Sequence, residues 1–293
     1  MKEKILVVGG SGSLGRQLIS DLKGRNYNVT GTVGTYFQNK NNNLEYLDIT
    51  DKKQVSSLVK KINPDVVIVT AAKTNVELCE LDKTETFNVN VGGLKNIIES
   101  CKDKKIVFYS TDTVFDGTKR IYQEADTLNP INHYGESKRL GEVLMGQVPN
   151  HLICRSSRYY SLEKHCPKYI NTLISRLEEG QEVKVPVNTP GNFTFIPDIS
   201  NATIQLLEKG KTGIYHVAGA DVYTLCEAAL KIAEVFKFSP SLIVPVEENY
   251  FNGRVKRPCS PLSIAKLNNE GIRMRGLEEG LKIIKTNYNN NYN

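Results

Sequence analysis

The chain has no stretch approaching the roughly 18 to 20 continuous apolar residues that a membrane-spanning helix needs. Residues 1–8 are a charged turn and a short apolar run, without the longer apolar segment and small-residue cleavage site of a secretory signal. The expectation is a cytoplasmic protein that does not enter a membrane. The six cysteines, Cys79, Cys101, Cys154, Cys166, Cys226 and Cys259, include no C-x-x-C pair and no zinc spacing, so most read as small buried hydrophobes of a reducing compartment. His133, His151, His165 and His216 are scattered, so no metal is expected, and no Gly-x-Ser-x-Gly elbow marks a hydrolase. There is no internal repeat and no dense basic block. With 38 Lys and Arg against 32 Asp and Glu the net charge is +6, which suits an anionic ligand without implying nucleic acid.

What is present is ordinary globular composition, 293 residues with 40% hydrophobic and 24% charged, enough for one large or two modest domains. Short β-branched runs at 5–8, 29–33, 66–69, 106–109, 152–154 and 214–217 read as strands buried on both faces. Between them, 15–22, 53–62, 87–101 and 137–145 carry apolar residues at helical spacing. Repeated strand, helix, strand predicts a Rossmann-type α/β fold, a doubly wound parallel sheet. After about residue 155 the rhythm loosens, with helical patterns at 169–177 and 225–236 separated by Pro- and Gly-bearing loops. This predicts a smaller, interleaved C-terminal lobe. Residues 40–43 read as a polar loop, and the Asn- and Tyr-rich residues 286–293 as a flexible tail.

The first strand runs into Gly9-Gly10-Ser11-Gly12-Ser13-Leu14-Gly15, which opens directly into a helix. Glycines at this spacing permit a tight turn and close backbone approach to a pyrophosphate, which the helix N-terminus attracts. An acid ending the second strand would hold the adenosine ribose and favour NADH. The chain instead reads Gly31-Thr32-Val33-Gly34-Thr35-Tyr36-Phe37, with Lys40 just beyond, so a 2′-phosphate meets no repulsion and NADPH is favoured over NADH. In Leu47-Asp48-Ile49, Asp48 either meets the adenine or caps the helix starting near Lys52.

Tyr134-Gly135-Glu136-Ser137-Lys138 sets a phenol and an ammonium one helical turn apart. A Tyr working as an acid near pH 7 must bridge a gap of roughly three pKa units, and a neighbouring ammonium narrows it by favouring phenolate. The strand 107–112 ends in Ser110-Thr111-Asp112, bringing hydroxyls to the carboxyl edge of the sheet, where ligands of such folds bind.

These residues carry a resemblance. The chain is similar to extended short-chain dehydrogenase/reductases and, within them, to the dTDP-4-dehydrorhamnose reductase family. The matching stretches are residues 7–15, Thr70-Ala71-Ala72-Lys73-Thr74-Asn75-Val76-Glu77, Asn88-Val89-Asn90-Val91, Ser110-Thr111-Asp112-Thr113-Val114-Phe115-Asp116-Gly117, 129–138, 195–199, 213–219 and Arg257-Pro258. The resemblance implies NAD(P)H-dependent reduction of the 4-keto group of a nucleotide-linked 4-keto-6-deoxy sugar. In it Tyr134 protonates the carbonyl oxygen, Lys138 holds the nicotinamide ribose and depresses the phenol pKa, and Thr111 orients the carbonyl. Gly9, Gly12, Ser13, Leu14, Gly15, Asp48, Ile49, Ala71, Ala72 and Lys73 line the cofactor, together with Tyr134 and Lys138. Thr111, Asp112 and Arg158 face the sugar. Asn90 either supports a proton relay or packs a helix. Residues 1–158 and 196–218 would form the cofactor domain, and 159–195 with 219–285 the substrate lobe. A homodimer stays open.

Two positions depart from the family pattern. Thr113 stands where the family usually has Tyr, and Arg158 where it usually has an aromatic, commonly Trp; this chain has no Trp. Arg158 offers a fork-shaped donor to phosphate, carboxylate or amide oxygens, or else is an exposed loop residue paired with Glu163. Two other readings remain. One is a cofactor-binding regulatory subunit resembling the methionine adenosyltransferase β subunit, without turnover. The other is a nucleotide-sugar epimerase, which needs a tightly held NAD. A dehydratase is disfavoured, because Asp112 is followed by Thr113 rather than Glu.

Overall fold

The computed structural model describes residues 3–34, 44–164, 166–247, 250 and 255–291. The first part of the chain forms β1 (Lys4–Val8), α1 (Ser13–Gly24), β2 (Asn28–Val33), β3 (Leu44–Tyr46), α2 (Lys52–Ile62) and β4 (Val66–Val69). Then come α3 (Val76–Leu81), α4 (Lys83–Phe87), a π-helical turn over Asn88–Gly93, α5 (Leu94–Ser100), β5 (Lys105–Thr111), a 3-10 turn over Asp112–Val114, α6 (His133–Met145) and β6 (His151–Ser156). The remainder supplies β7 (Tyr159–Tyr160), α7 (Tyr169–Glu178), β8 (Val183–Pro186), β9 (Gly191–Asn192), β10 (Thr194–Phe195), α8 (Ile196–Glu208) and β11 (Gly213–His216). It ends with β12 (Val222–Tyr223), α9 (Leu225–Phe236), β13 (Ile243–Val246), α10 (Ala265–Asn269) and α11 (Leu277–Asn291).

Seven strands make one parallel sheet in the order β3-β2-β1-β4-β5-β6-β11. The order reverses between β1 and β4, which opens a crevice at their carboxyl ends. Strand side chains alternate between two cores. Ile5, Val7, Ile68 and Val107 pack with Leu14, Leu18 and Leu22 of α1 and Ile199, Ala202 and Leu206 of α8. Leu6, Val8, Val67, Ile106 and Phe108 face Val55 and Leu58 of α2, Leu94 and Ile97 of α5, and Met145. Burial on both faces explains the unbroken apolar strands.

A third core belongs to the C-terminal lobe: Ile170, Ile174 and Leu177 of α7, Val183 and Val185 of β8, Phe193, Phe195, and Ala229 and Ile232 of α9. Two boundaries differ from the sequence expectation. Leu267, Ile272 and Met274 pack into the first sheet core, so the C-terminal lobe is not continuous through 285. The expected tail is helical as far as Asn291, and Tyr288 joins Leu277, Leu281 and Ile284 in the lobe core. Their i, i+4, i+7, i+11 spacing is an apolar helix stripe, obscured in the sequence by the asparagines around and after Tyr288.

Candidate active site

At the end of β1 the turn is closed by backbone crowding. Gly9 has φ +89, and a Cβ there would lie 2.6 Å from the Ala71 nitrogen; a Cβ on Gly15 would lie 2.3 Å from the Gly9 carbonyl oxygen. Both positions require glycine because β4 and the first turn of α1 press onto the loop. The Gly9 N–H donates to Thr32 Oγ1 at 3.1 Å, and the Thr70 hydroxyl lies 3.0 Å from the Gly9 carbonyl. Gly12 is different. It is the N-cap of α1, and a Cβ there would meet only the Gly9 carbonyl oxygen, at 3.5 Å. Over that space stand the first N–H groups of α1, which have no partner within the helix. A pyrophosphate fits such a cradle. Ser13 Oγ lies 3.3 Å from Cys166 Sγ, and Arg16 forks onto Glu163 at 2.7 and 2.9 Å, so the loop before α7 touches the cradle rim.

Ala71, Ala72 and Lys73 follow β4 along the same crevice. The Lys73 ammonium pairs with Glu85, and its backbone N–H donates to Asn90 Oδ1 at 2.8 Å. Asp48 turns its Oδ1 onto the Thr50 N–H and hydroxyl at 2.9 and 2.7 Å, beside a side cleft lined by Asn88, Val89, Gly92 and Asn96. The cap of α2 is Asp51, whose carboxylate accepts from Lys53 and Gln54, so the capping alternative for Asp48 is corrected. Ile49 is buried on Gly93, where a Cβ would approach it to 2.6 Å. Residues 35–37 and Lys40 lie outside the described residues.

Thr111 ends β5, its Oγ1 3.0 Å from both Asp112 Oδ1 and Thr113 Oγ1. Helix α6 starts directly on this turn. Asn132 caps it by accepting from the Gly135 N–H at 2.9 Å, and a Cβ on Gly135 would lie 2.3 Å from the Thr113 carbonyl oxygen. That contact seats Tyr134, in the first turn of α6, against the turn that carries Thr111, Asp112 and Thr113. Burial, then the Asp112 carboxylate, push the phenol above its ordinary pKa. Lys138 is 5% exposed, its ammonium 4.0 Å over the Phe108 ring, and burial brings it down to about 7. A lysine in so dry a place carries a weakened charge.

Asn90 sits in the π-helical turn, where it holds two segments together. Its Nδ2 donates to the Lys73 carbonyl and to Ser137 Oγ, both at 3.0 Å, and the Ser137 hydroxyl donates to the Tyr134 carbonyl at 2.7 Å. Every polar atom of the amide is engaged, tying the end of β4 to the helix of Tyr134.

On the C-terminal lobe side, Asp112 Oδ2 accepts from the Ser157 hydroxyl at 2.8 Å, and burial raises its pKa against that bond and the charge of Arg158. Arg158 has φ 42, a conformation rare for a side-chain-bearing residue. Its Nη1 and Nη2 donate to the Thr189 and Pro190 carbonyls at 2.8 and 3.1 Å, and its guanidinium lies 5.2 Å from the Phe193 ring centroid. The alternative pairing with Glu163 is corrected, since Glu163 bonds Arg16. Ser157 and Glu142 escaped the sequence reading. Ser157 had no signal beyond its place next to Arg158; Glu142 falls one helical turn past Lys138, a spacing that was visible.

A reversing parallel sheet with a glycine cradle, and a tyrosine helix seated on the carboxyl end of β5, is the construction of an extended short-chain dehydrogenase/reductase. Over residues 2–289 the chain matches the RmlD substrate binding domain family, and it belongs to that family. It is 30% identical to a dTDP-4-dehydrorhamnose reductase of Aggregatibacter actinomycetemcomitans, covering 96% of this chain and 98% of the relative. A methionine adenosyltransferase 2 subunit beta of Xenopus tropicalis is 26% identical over 95% of this chain and 87% of its own. Among solved structures, the dTDP-4-dehydrorhamnose reductase of Bacillus anthracis in complex with NADP superposes with a TM-score of 0.88 at 29% identity, covering 98% and 99% of the two chains.

Proposed function

We propose that the protein reduces the 4-keto group of a nucleotide-linked 4-keto-6-deoxy sugar with NADPH, in the making of deoxysugar or polysaccharide precursors. The observation that carries this reading is the close seat of α6 on the carboxyl end of β5, where Gly135 presses on the Thr113 carbonyl and puts Tyr134 beside the Thr111 turn. The dinucleotide would rest its pyrophosphate on Gly12, Ser13 and Leu14, with its nicotinamide toward Lys138. When bound, it supplies the hydride.

The protein's own part is to hold the carbonyl and move a proton. Thr111 and Tyr134 donate to the carbonyl oxygen, and Tyr134 gives up its proton as negative charge develops there. A phenol raised by burial holds its proton in the resting site, so transfer must await that developing charge and the Lys138 ammonium beyond. Asp112 with Ser157 and Arg158 then shape the sugar side. Arg158 acts by fixing the Thr189–Pro190 backbone as a wall where the family has an aromatic surface.

The test follows NADPH absorbance against a panel of dTDP-, UDP- and GDP-linked 4-keto-6-deoxy sugars. Oxidation with at least one of them supports the reading. Tight NADPH binding with no oxidation by any would instead favour a regulatory subunit. Residence in the cytoplasm belongs to the same proposal; among the described residues no helix is long and apolar enough to cross a membrane.

A further inference from the structure

Tyr134, Lys138 and Glu142 lie at i, i+4 and i+8 on α6, and so form one stripe along the helix. The third member is a carboxylate in a dry place. The Glu142 side chain is 4% exposed and that of Arg155, at the end of β6, is 2% exposed. Arg155 Nε donates to Glu142 Oε1 at 2.9 Å and Nη2 to Oε2 at 2.6 Å, while the Ser110 hydroxyl donates to Oε1 at 2.5 Å. Behind Arg155, its Nη1 donates to the Glu124 carbonyl at 3.0 Å and lies 3.4 Å from His216 Nε2. The His216 ring donates from Nδ1 to the Ser263 carbonyl at 3.0 Å, so Nε2 is left as an acceptor facing Arg155. Burial and the charge of Arg155 hold this imidazole neutral, with a pKa of about 3.

A buried ion pair is a poor stabiliser in its own right, since well-packed apolar side chains would serve as well. This pair has a neighbour that explains its place. Lys138 is pressed between α6 and β5, where Gly141 lets the helix approach Phe108 closely enough that a Cβ would lie 2.7 Å from the ring. From β5 the Phe108 ring lies under its ammonium, and Glu142, one turn further along the same helix, is the carboxylate that favours its charged form. Arg155 from β6 faces Glu142, and His216 from β11, neutral, faces Arg155.

We propose that Glu142 is a positioning residue of the reduction site, acting through Lys138. Clamped by Arg155 and Ser110, its carboxylate sets a fixed negative charge one helical turn from the Lys138 ammonium, on the side of the stripe away from Tyr134. The inference rests on the reading of Tyr134 and Lys138 as groups of the reduction site.

The experiment compares Glu142→Gln and Glu142→Asp with the parent protein, following NADPH binding by its fluorescence and kcat/KM across pH 6 to 9.5. Removing the charge by Glu142→Gln should move the alkaline fall in NADPH affinity down by about one pH unit, the shift expected of a lost interaction worth a tenfold change. The activity loss should accordingly grow from about threefold at pH 6 to about thirtyfold at pH 9. Glu142→Asp, which keeps the charge, should restore the parent pH profile even if it unfolds at lower temperature. In a Lys138→Met background, Glu142→Gln should add no further loss. A loss equal at every pH, or one of full size in the Lys138→Met background, would show Glu142 to be only a fold-stabilising group and overturn the proposal. The binding profile keeps the two readings apart: a shifted NADPH profile without reductase turnover would sink the reductase assignment while leaving the Glu142–Lys138 coupling standing.

Discussion

The two ends of the crevice are built by different means. At the end proposed to take the cofactor the shape is made by backbone: Gly9 and Gly15 are pressed against main-chain atoms of neighbouring segments, while a Cβ on Gly12 would meet only the Gly9 carbonyl oxygen, at 3.5 Å. At the end proposed to face the sugar it is made by a long side chain gripping distant backbone, with Arg158 reaching 31 and 32 residues along the chain to Thr189 and Pro190. A cradle of main chain admits few substitutions and serves one ligand shape. A wall of side-chain hydrogen bonds can be rebuilt one residue at a time.

The sharpest way to separate the two ends is at the point where they meet. Tyr134→Phe should cut turnover about a thousandfold, within the range of about 10² to 10⁴ for a lost general acid, while NADPH affinity measured by fluorescence stays near the parent's. Retained turnover would remove Tyr134 from the mechanism. Next in size, Gly15→Ala drives a Cβ into the Gly9 carbonyl and should cost about 1–3 kcal/mol in urea unfolding, as overpacking does, with a loss of NADPH affinity. An unfolding curve that does not move would break the claim that the cofactor end is closed by backbone contact.

On the sugar side, Arg158→Met removes two charge-assisted hydrogen bonds, each contributing about 1.5–3 kcal/mol to whatever it orders. The outcome expected is a rise of about tenfold in KM for the sugar nucleotide, where each factor of ten is about 1.4 kcal/mol, with the NADPH dissociation constant unchanged. If NADPH binding weakens equally, the two ends are not independent. The smallest effect belongs to Gly12→Ala. Its new methyl makes only an ordinary contact with the Gly9 carbonyl oxygen, at 3.5 Å, so stability should change by less than about 0.5 kcal/mol, but NADPH binding should weaken several-fold because the methyl stands where the pyrophosphate would approach. Unaltered NADPH affinity in that variant would move the phosphate elsewhere.

Much of this was legible from local pattern. The strands announced themselves because both faces of the sheet are covered, and the glycine turn and Tyr134 with Lys138 are readable because helix and turn geometry follow from short spacings. Asp48 was harder to assign because its neighbour Asp51 competes for the same cap. The tail was misread because composition hid a helical stripe ending in Tyr288.

By itself, then, the sequence determined the fold class, the place of the dinucleotide turn and the pairing of a phenol with an ammonium one turn apart. Only the tertiary structure decided what those groups experience. Tyr134 is buried beside Asp112, the Lys138 ammonium lies dry over the Phe108 ring, and Arg158 is committed to the loop at Thr189 instead of to Glu163. Periodicity is a property of neighbours in the chain, whereas desolvation and charge depend on which distant segments fold against them.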